Sequence, residues 1–268
     1  MILHIESLSA YAKQIIQDDT QGCVHSVYRN TINIIVNGRL LAIQTTDSPV
    51  SPISLMTAYD SETFAALAPQ IGQMINFDCS CAKIYELAAK GKISHAVRHS
   101  LYKKFIPTVL YSQVHGFNLI FQLSSKVDED LVLTAAENII HDANSLYRKG
   151  RQLESADKLC SLIGLGTGLT PSGDDFLCGM LAGLHIQGLA DSDFALKLRE
   201  NITKNLSRTN EISQAFLQCA LDGQFNLAVN ELWNNPEKEQ ISEMFHSIGH
   251  SSGMDMLCGI YFLFFLME

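Results

Sequence analysis

Two stretches of this chain are near-copies of each other, and each is built to start a helix. Ser172-Gly-Asp-Asp-Phe-Leu-Cys-Gly179 and Ser252-Gly-Met-Asp-Met-Leu-Cys-Gly259 share Ser, Gly, Asp, Leu, Cys and Gly at identical spacing, with equivalent positions 80 residues apart. A Ser followed three residues later by Asp, just ahead of an apolar run, is an acidic form of the capping box, so the pattern predicts helices opening at Ser172 and Ser252. Gly179 and Gly183 stand one turn apart on the first helix and Gly259 repeats the former, which suits two helices packed closely through glycine faces. Matched helix starts of this kind predict that the two segments converge in space and share one site.

The first copy is preceded by the loop Gly164-Leu-Gly-Thr-Gly-Leu-Thr-Pro171, whose glycines let a ligand approach the backbone. Free N–H groups at a helix start attract anions, by roughly 0.3–1 kcal/mol and up to about 2 when partly buried. Asp174 and Asp175 oppose this, since a carboxylate about 5 Å from a phosphate charge repels it by roughly 3 kcal/mol at an effective dielectric of about 20. A bare phosphate beside both carboxylates is therefore disfavoured. Either Asp175 and Asp255 turn inward as caps, or Asp174 or Asp175 touches a substrate polar group or a Mg²⁺ ion, which is held elsewhere by one or two carboxylates plus phosphate. Met254 replaces Asp174 in the second copy, so the helix start itself does not require Asp174, and this makes it the candidate metal ligand. No cofactor beyond such a Mg²⁺ ion is indicated. The lysine of a Walker A loop is missing, as are the G-x-S-x-G elbow and H-E-x-x-H.

The candidate binding set is Gly166, Thr167, Gly168 and Thr170 of the loop, Ser172 and Gly173 at the first helix start, and Ser251, Ser252, Gly253 and Asp255 at the second. Asp174, Asp175 and His250 are the candidate catalytic residues. His250 has two readings, a helix-entry residue bonded to backbone or a proton donor with a pKa near neutrality. Arg29 and Asn33, four apart on an expected strand and hence on one face, complete the binding set, because Arg engages carboxylate or phosphate bidentately.

A length of 268 residues allows one large or two small domains with sizeable cores. The net charge of −9 argues against nucleic acid as a partner, which needs a basic face. Hydrophobic residues at 47% leave room for a buried interface, including one between copies of the chain. Seven cysteines without a C-x-x-C pair make no disulfide framework and point to a reducing cytoplasm. Cys79 and Cys81, two apart on an expected strand, read as thiols rather than metal ligands. The apolar segment Leu257 to Met267 is shorter than the roughly 20 residues a bilayer crossing needs, so it is expected as a buried helix and no membrane partner is expected.

Along the chain the pattern predicts an α+β protein, with a β-rich domain over 1–126, built from hairpins as a small barrel or sheet, followed by an α-helical domain over 127–268. Val24 to Val36, Asn37-Gly38 and Arg39 to Gln44 read as a β-hairpin with a type I′ turn. Further strands are expected at Met74 to Ile84 and at Thr108 to Leu123 around a turn near His115-Gly116, with a short helix over Ser61 to Ala68. The domain boundary is expected near Ser124 to Asp128. Beyond it, helical periodicity marks Leu131 to Arg148, Leu153 to Leu162, Asp174 to Gln187, Ser192 to Leu206, Glu211 to Leu221, Gln224 to Trp233, Pro236 to Ser247 and Ser252 to Met267.

The glycine run ending in Leu169-Thr-Pro-Ser-Gly-Asp-Asp175, with Gly249-His-Ser-Ser-Gly-Met-Asp255, resembles the AllH-like family; Arg29-Asn-Thr-Ile-Asn33 and the loop ending near Pro52 extend the likeness loosely. Thr167 stands where members carry Pro, which leaves the glycine framework intact. The resemblance implies a subunit of a carbamoyl-transferring enzyme similar to oxamate carbamoyltransferase, which interconverts oxalurate plus phosphate with oxamate plus carbamoyl phosphate in allantoin breakdown. It implies further subunits as partners and carbamoyl phosphate, oxamate or oxalurate as the small anionic ligand. In that reading the backbone N–H groups of Gly166 to Gly168 and of Gly253 are the donors. The alternative is a noncatalytic assembly or anion-sensing subunit whose partner carries the chemistry.

Overall fold

The computed structural model describes residues 2–122, 130–237 and 240–266. The chain divides into two compact units, one of Met1–Ala88 with Gln224–Leu227 and one of Ala89–Gly223 with Ala228–Glu268. The boundary expected near Ser124 to Asp128 lies outside the described residues.

The first unit carries an eight-stranded mixed sheet, confirming the α+β class. Its strands are β1 (Ile2–His4), β2 (Ser7–Ser9), β3 (Gln21–Val27), β4 (Thr31–Val36), β5 (Arg39–Gln44), β6 (Ser54–Met56), β7 (Met74–Asp78) and β8 (Lys83–Tyr85), in the order β1-β7-β3-β4-β5-β6-β2-β8. The β4–β5 hairpin closes as expected, Val36 opposite Arg39, with Asn37 at φ 51° and Gly38 at φ 71° in the left-handed region that a type I′ turn demands. Ile32, Ile34 and Val36 alternate into the core. Two short helices belong here, α1 (Ala10–Ile16), capped by Ser9, and α2 (Ser61–Ala65), capped by Asp60.

Three strand expectations need correction. Val24 to Val36 is not one strand, because the chain turns at Tyr28 to Asn30 and pairs β3 back onto β4. Met74 to Ile84 is likewise two strands, with Cys79 and Cys81 in the turn between them. Of the strand expected over Thr108 to Leu123, the described residues 108–122 contain no strand, and Leu123 lies outside them. The stretch falls in α3 (His95–Tyr111), which runs straight through Pro107, and in α4 (Asn118–Phe121). Leu101, Phe105 and Val109 form one buried helical face, and Tyr102 and Phe105 meet aromatic rings of the last helix, so tertiary burial overrides the β-branched composition and the proline.

The second unit is helical. After α5 (Leu131–Arg148) and α6 (Gln152–Leu159), a 3₁₀ turn over Cys160–Leu162 leads into the glycine loop and α7 (Ser172–Gln187). Then come α8 (Asp193–Asn205), α9 (Glu211–Leu221), α10 (Leu227–Asn234), α11 (Ile241–His246) and α12 (Ser252–Leu266). Asp130, Ser192 and Asn210 cap α5, α8 and α9 through their side chains. Helices α7 and α12 are apolar on all faces, with 14 of 16 and 13 of 15 residues buried, which marks them as the centre of this unit. Among the described residues no helix is long and apolar enough to cross a membrane.

Candidate functional site

The two repeats converge, and they do so with reciprocal contacts. A Cβ on Gly179 would lie 1.9 Å from the Met256 carbonyl oxygen, and one on Gly259 would lie 2.0 Å from that of Phe176. Phe176 and Met256 are themselves equivalent positions, so α7 and α12 cross backbone to backbone about a local two-fold relation. The helix starts repeat the same construction. Gly173 donates to the Leu165 carbonyl at 2.8 Å and Gly253 to that of Ile248 at 3.0 Å. A Cβ at Gly173 would strike the Leu162 oxygen at 2.0 Å, and one at Gly253 the Phe245 oxygen at 1.8 Å. Eight positions separate Leu165 from Gly173 but only five separate Ile248 from Gly253, so the glycine loop is a three-residue elaboration found in the first copy.

The capping box expected at these starts does not form on α7. Pro171 occupies the cap position and no side chain caps the helix. Instead polar groups gather across the crossing: the hydroxyls of Ser172 and Ser251 act on Asp255, and those of Ser252 and Thr170 on Asp175, in each case favouring the charged carboxylate. Thr170 and Ser252 are also joined through their hydroxyls at 2.7 Å.

Asp175 and Asp255 are buried, at 5% and 0% exposure, and one carboxyl oxygen of each, Oδ2, has no hydrogen-bond partner among the described residues. The other oxygen of Asp255 accepts from the Phe117 N–H at 2.6 Å. Burial pushes Asp255 up to about 6 against the pull of Phe117, Ser172 and Ser251. Asp175 is held well above the usual carboxylate range, first by burial and then by the charge of Asp255, with Ser252 and Thr170 acting in the opposite direction.

Asp174 has a different setting. Its Oδ1 accepts from the Gly164 N–H at 2.9 Å, and its Oδ2 accepts from Thr209 Oγ1 at 2.5 Å and from Ser213 Oγ at 2.7 Å. Both oxygens are thereby engaged in tying the start of the loop to Thr209 and to the first turn of α9. Within the loop, Gly166 (φ 133°) abuts the Ser172 nitrogen. Thr167 and Gly168 are exposed, and the N–H groups of Gly166, Thr167 and Gly168 meet no acceptor among the described residues. The Gly253 N–H, by contrast, is taken by Ile248, which removes it as the free donor it was expected to be.

The remaining candidates have other settings. His250 is exposed in the turn ahead of α12. Arg29 and Asn33 belong to the first compact unit and do not share a strand face. Arg29 is exposed in the bend after β3, whereas Asn33 is buried on β4 and donates to Ser26 Oγ at 3.0 Å. Sequence reasoning missed Gly116 and Phe117, Thr209 and Ser213. A Cβ at Gly116 would fall 2.5 Å from Asp255 Oδ1, so glycine there lets the backbone reach the carboxylate. Nothing local marks these four, because their partners are far along the chain. Among the described residues no three His, Cys, Asp or Glu side chains group as metal ligands.

Comparison with known families gives two matches. Residues 4–106 match the AllH family N-terminal domain, and residues 162–264 match the family of oxamate carbamoyltransferase subunit AllH. The second match spans both repeats. No solved structure matches the chain.

Proposed function

The chain belongs to the AllH family of oxamate carbamoyltransferase subunits, and from that premise we propose that it supplies an anion-binding site to a carbamoyl-transferring complex, with oxamate, oxalurate or carbamoyl phosphate as the ligand. The observation that carries this reading is the loop present only in the first repeat. Three successive N–H groups, at Gly166, Thr167 and Gly168, are left without an acceptor among the described residues while the loop itself is anchored through Asp174. Carbamoyl transfer asks little covalent help of a protein. It needs donors on the carbamoyl oxygen, where negative charge develops as phosphate or the oxamate nitrogen attacks, and it needs the two reactants held in line. Backbone donors on the loop, with Thr170, Ser172, Ser251 and Ser252 beside it, suit the first task. His250, exposed at the second helix start, is the group available for proton transfer.

The second reading is a noncatalytic assembly or sensing subunit. It is favoured by the glycine crossing, which explains much of the repeat by packing, and by the engagement of both Asp174 oxygens. Phosphorolysis of oxalurate, followed as carbamoyl phosphate formed by the reconstituted complex, separates the two. Under the first reading, Gly166→Ala and His250→Ala in this subunit depress turnover while the complex still assembles. Full turnover by both assembled variants would leave only the assembly role.

A further inference from the structure

The crossing of α7 and α12 contains more buried acid than its surroundings neutralise. Asp175 and Asp255 stand at equivalent positions of the two repeats, and each keeps one oxygen shielded from solvent and without a donor among the described residues. Neither makes an ion pair with a described residue. Two carboxylates enclosed together are stable only if a positive charge or a proton lies between them. The neighbouring polar groups are the hydroxyls of Thr170, Ser172, Ser251 and Ser252. The Cys178 and Cys258 thiols, one turn further along each helix and buried, feel these carboxylates but do not group with them as metal ligands among the described residues, which leaves oxygen donors, the ligand type of a hard cation, whereas zinc or copper would call for His or Cys.

We propose that Asp175 and Asp255, with the hydroxyls around them, bind one hard divalent cation of the Mg²⁺ type at the crossing of the two repeats. The unpartnered Oδ2 atoms are the two carboxylate ligands, and the site uses one residue from each repeat, which gives the duplication a chemical purpose as well as a packing one. Asp174 is not a ligand, because its oxygens already accept three hydrogen bonds. The role of the cation rests on the anion-site reading above: seated beside the loop, it reverses the sign of the local charge so that an anionic metabolite can approach. Cation binding itself does not depend on that reading.

The test uses the full chain, dialysed against EDTA and then titrated with Mg²⁺, with Mn²⁺ as the spectroscopic probe. A single Mn²⁺ per chain is expected in paramagnetic resonance, and Mg²⁺ at about a hundredfold excess over its Kd raises Tm by about 5 °C or more. Asp175→Asn and Asp255→Asn, which keep size and shape, each abolish both signals. Thr170→Ala and Ser252→Ala, which keep both carboxylates, weaken the cation about tenfold and serve if either Asn variant fails to fold. A folded chain whose Tm ignores millimolar Mg²⁺ overturns the proposal, as does a shift that survives in both Asn variants; the pair would then share a proton. Calorimetry with carbamoyl phosphate keeps the two readings apart. Tight anion binding in EDTA sinks the cation's role and leaves the loop site standing, while cation binding with no anion binding in the assembled complex sinks the loop site alone.

Discussion

The two repeats solve the same packing problem, yet only one of them carries a loop. In both, a glycine at the second helical position sits against a carbonyl from the preceding turn, and a glycine two turns on lets the partner helix touch backbone. In both, the serine and aspartate of one copy answer those of the other. The difference lies in three extra residues before Gly173 and in Asp174, whose equivalent is the buried Met254. Asp174 appears where the loop appears because its carboxylate holds that loop in place. What repeats is therefore the packing and the acid pair at the crossing, and what does not repeat is the loop on which the proposed anion site rests.

The shared scaffold is the most sensitive part of this comparison. Gly179→Val and Gly259→Val each force a side chain into a carbonyl of the facing helix, and neither helix can retreat within a closed core. A loss of more than about 4 kcal/mol, or failure to fold, is expected in urea unfolding. Gly183→Ala meets the movable end of Leu263 at 2.9 Å, with Leu263 Cβ at 3.3 Å and no backbone atom nearer than 3.6 Å, and should cost about 1 kcal/mol. Similar losses at Gly183 and Gly259 would mean that backbone contact is not what the repeat preserves.

The anchor comes next. Asp174→Ala leaves the Gly164 N–H and the Thr209 and Ser213 hydroxyls without an acceptor, and a loss of about 3 kcal/mol is expected. Met254→Asp makes the second copy look like the first but supplies no loop to hold, so it should destabilise the chain through an unpaired buried carboxylate. A harmless Met254→Asp would show that Asp174 is not tied to the loop.

Smaller effects fall on the loop and on the acid pair. Gly166→Ala places a Cβ 2.6 Å from the Ser172 nitrogen at a φ of 133°, costing about 1–2 kcal/mol, and it should weaken anion binding by calorimetry far more than its effect on Tm suggests. Asp175→Asn in EDTA should leave stability within about 1 kcal/mol of the parent, or raise it, since a buried charge is exchanged for a neutral group of the same shape. A loss as large as that of Asp174→Ala would place Asp175 in the scaffold and erase the contrast between neighbouring aspartates.

Much of this architecture was legible from neighbours along the chain. The turn at Asn37-Gly38 needs two residues that accept positive φ, and helices α5 and α9 announce themselves by periodicity and by Asp130 and Asn210 as caps. The convergence of the repeats was legible too, because matched glycines make sense only when two backbones meet. Long-range packing hid the rest. Thr108 and the residues after it read locally as strand, and burial against α12 extends the helix through Pro107 as far as Tyr111. Ser172 read as a cap, and its hydroxyl turned to Asp255, a partner 83 positions away that no local rule could name.

The sequence by itself determined that there are two equivalent helix starts, that small residues line them, and that acid sits at each, since these are properties of residue type and spacing. Only the tertiary structure decided which acid is spent and which is spare. Asp174 and Asp175 are adjacent and chemically identical, but successive residues on a helix point about 100° apart. One reaches donors at Gly164, Thr209 and Ser213, and the other lies buried where the charge of Asp255 reaches it.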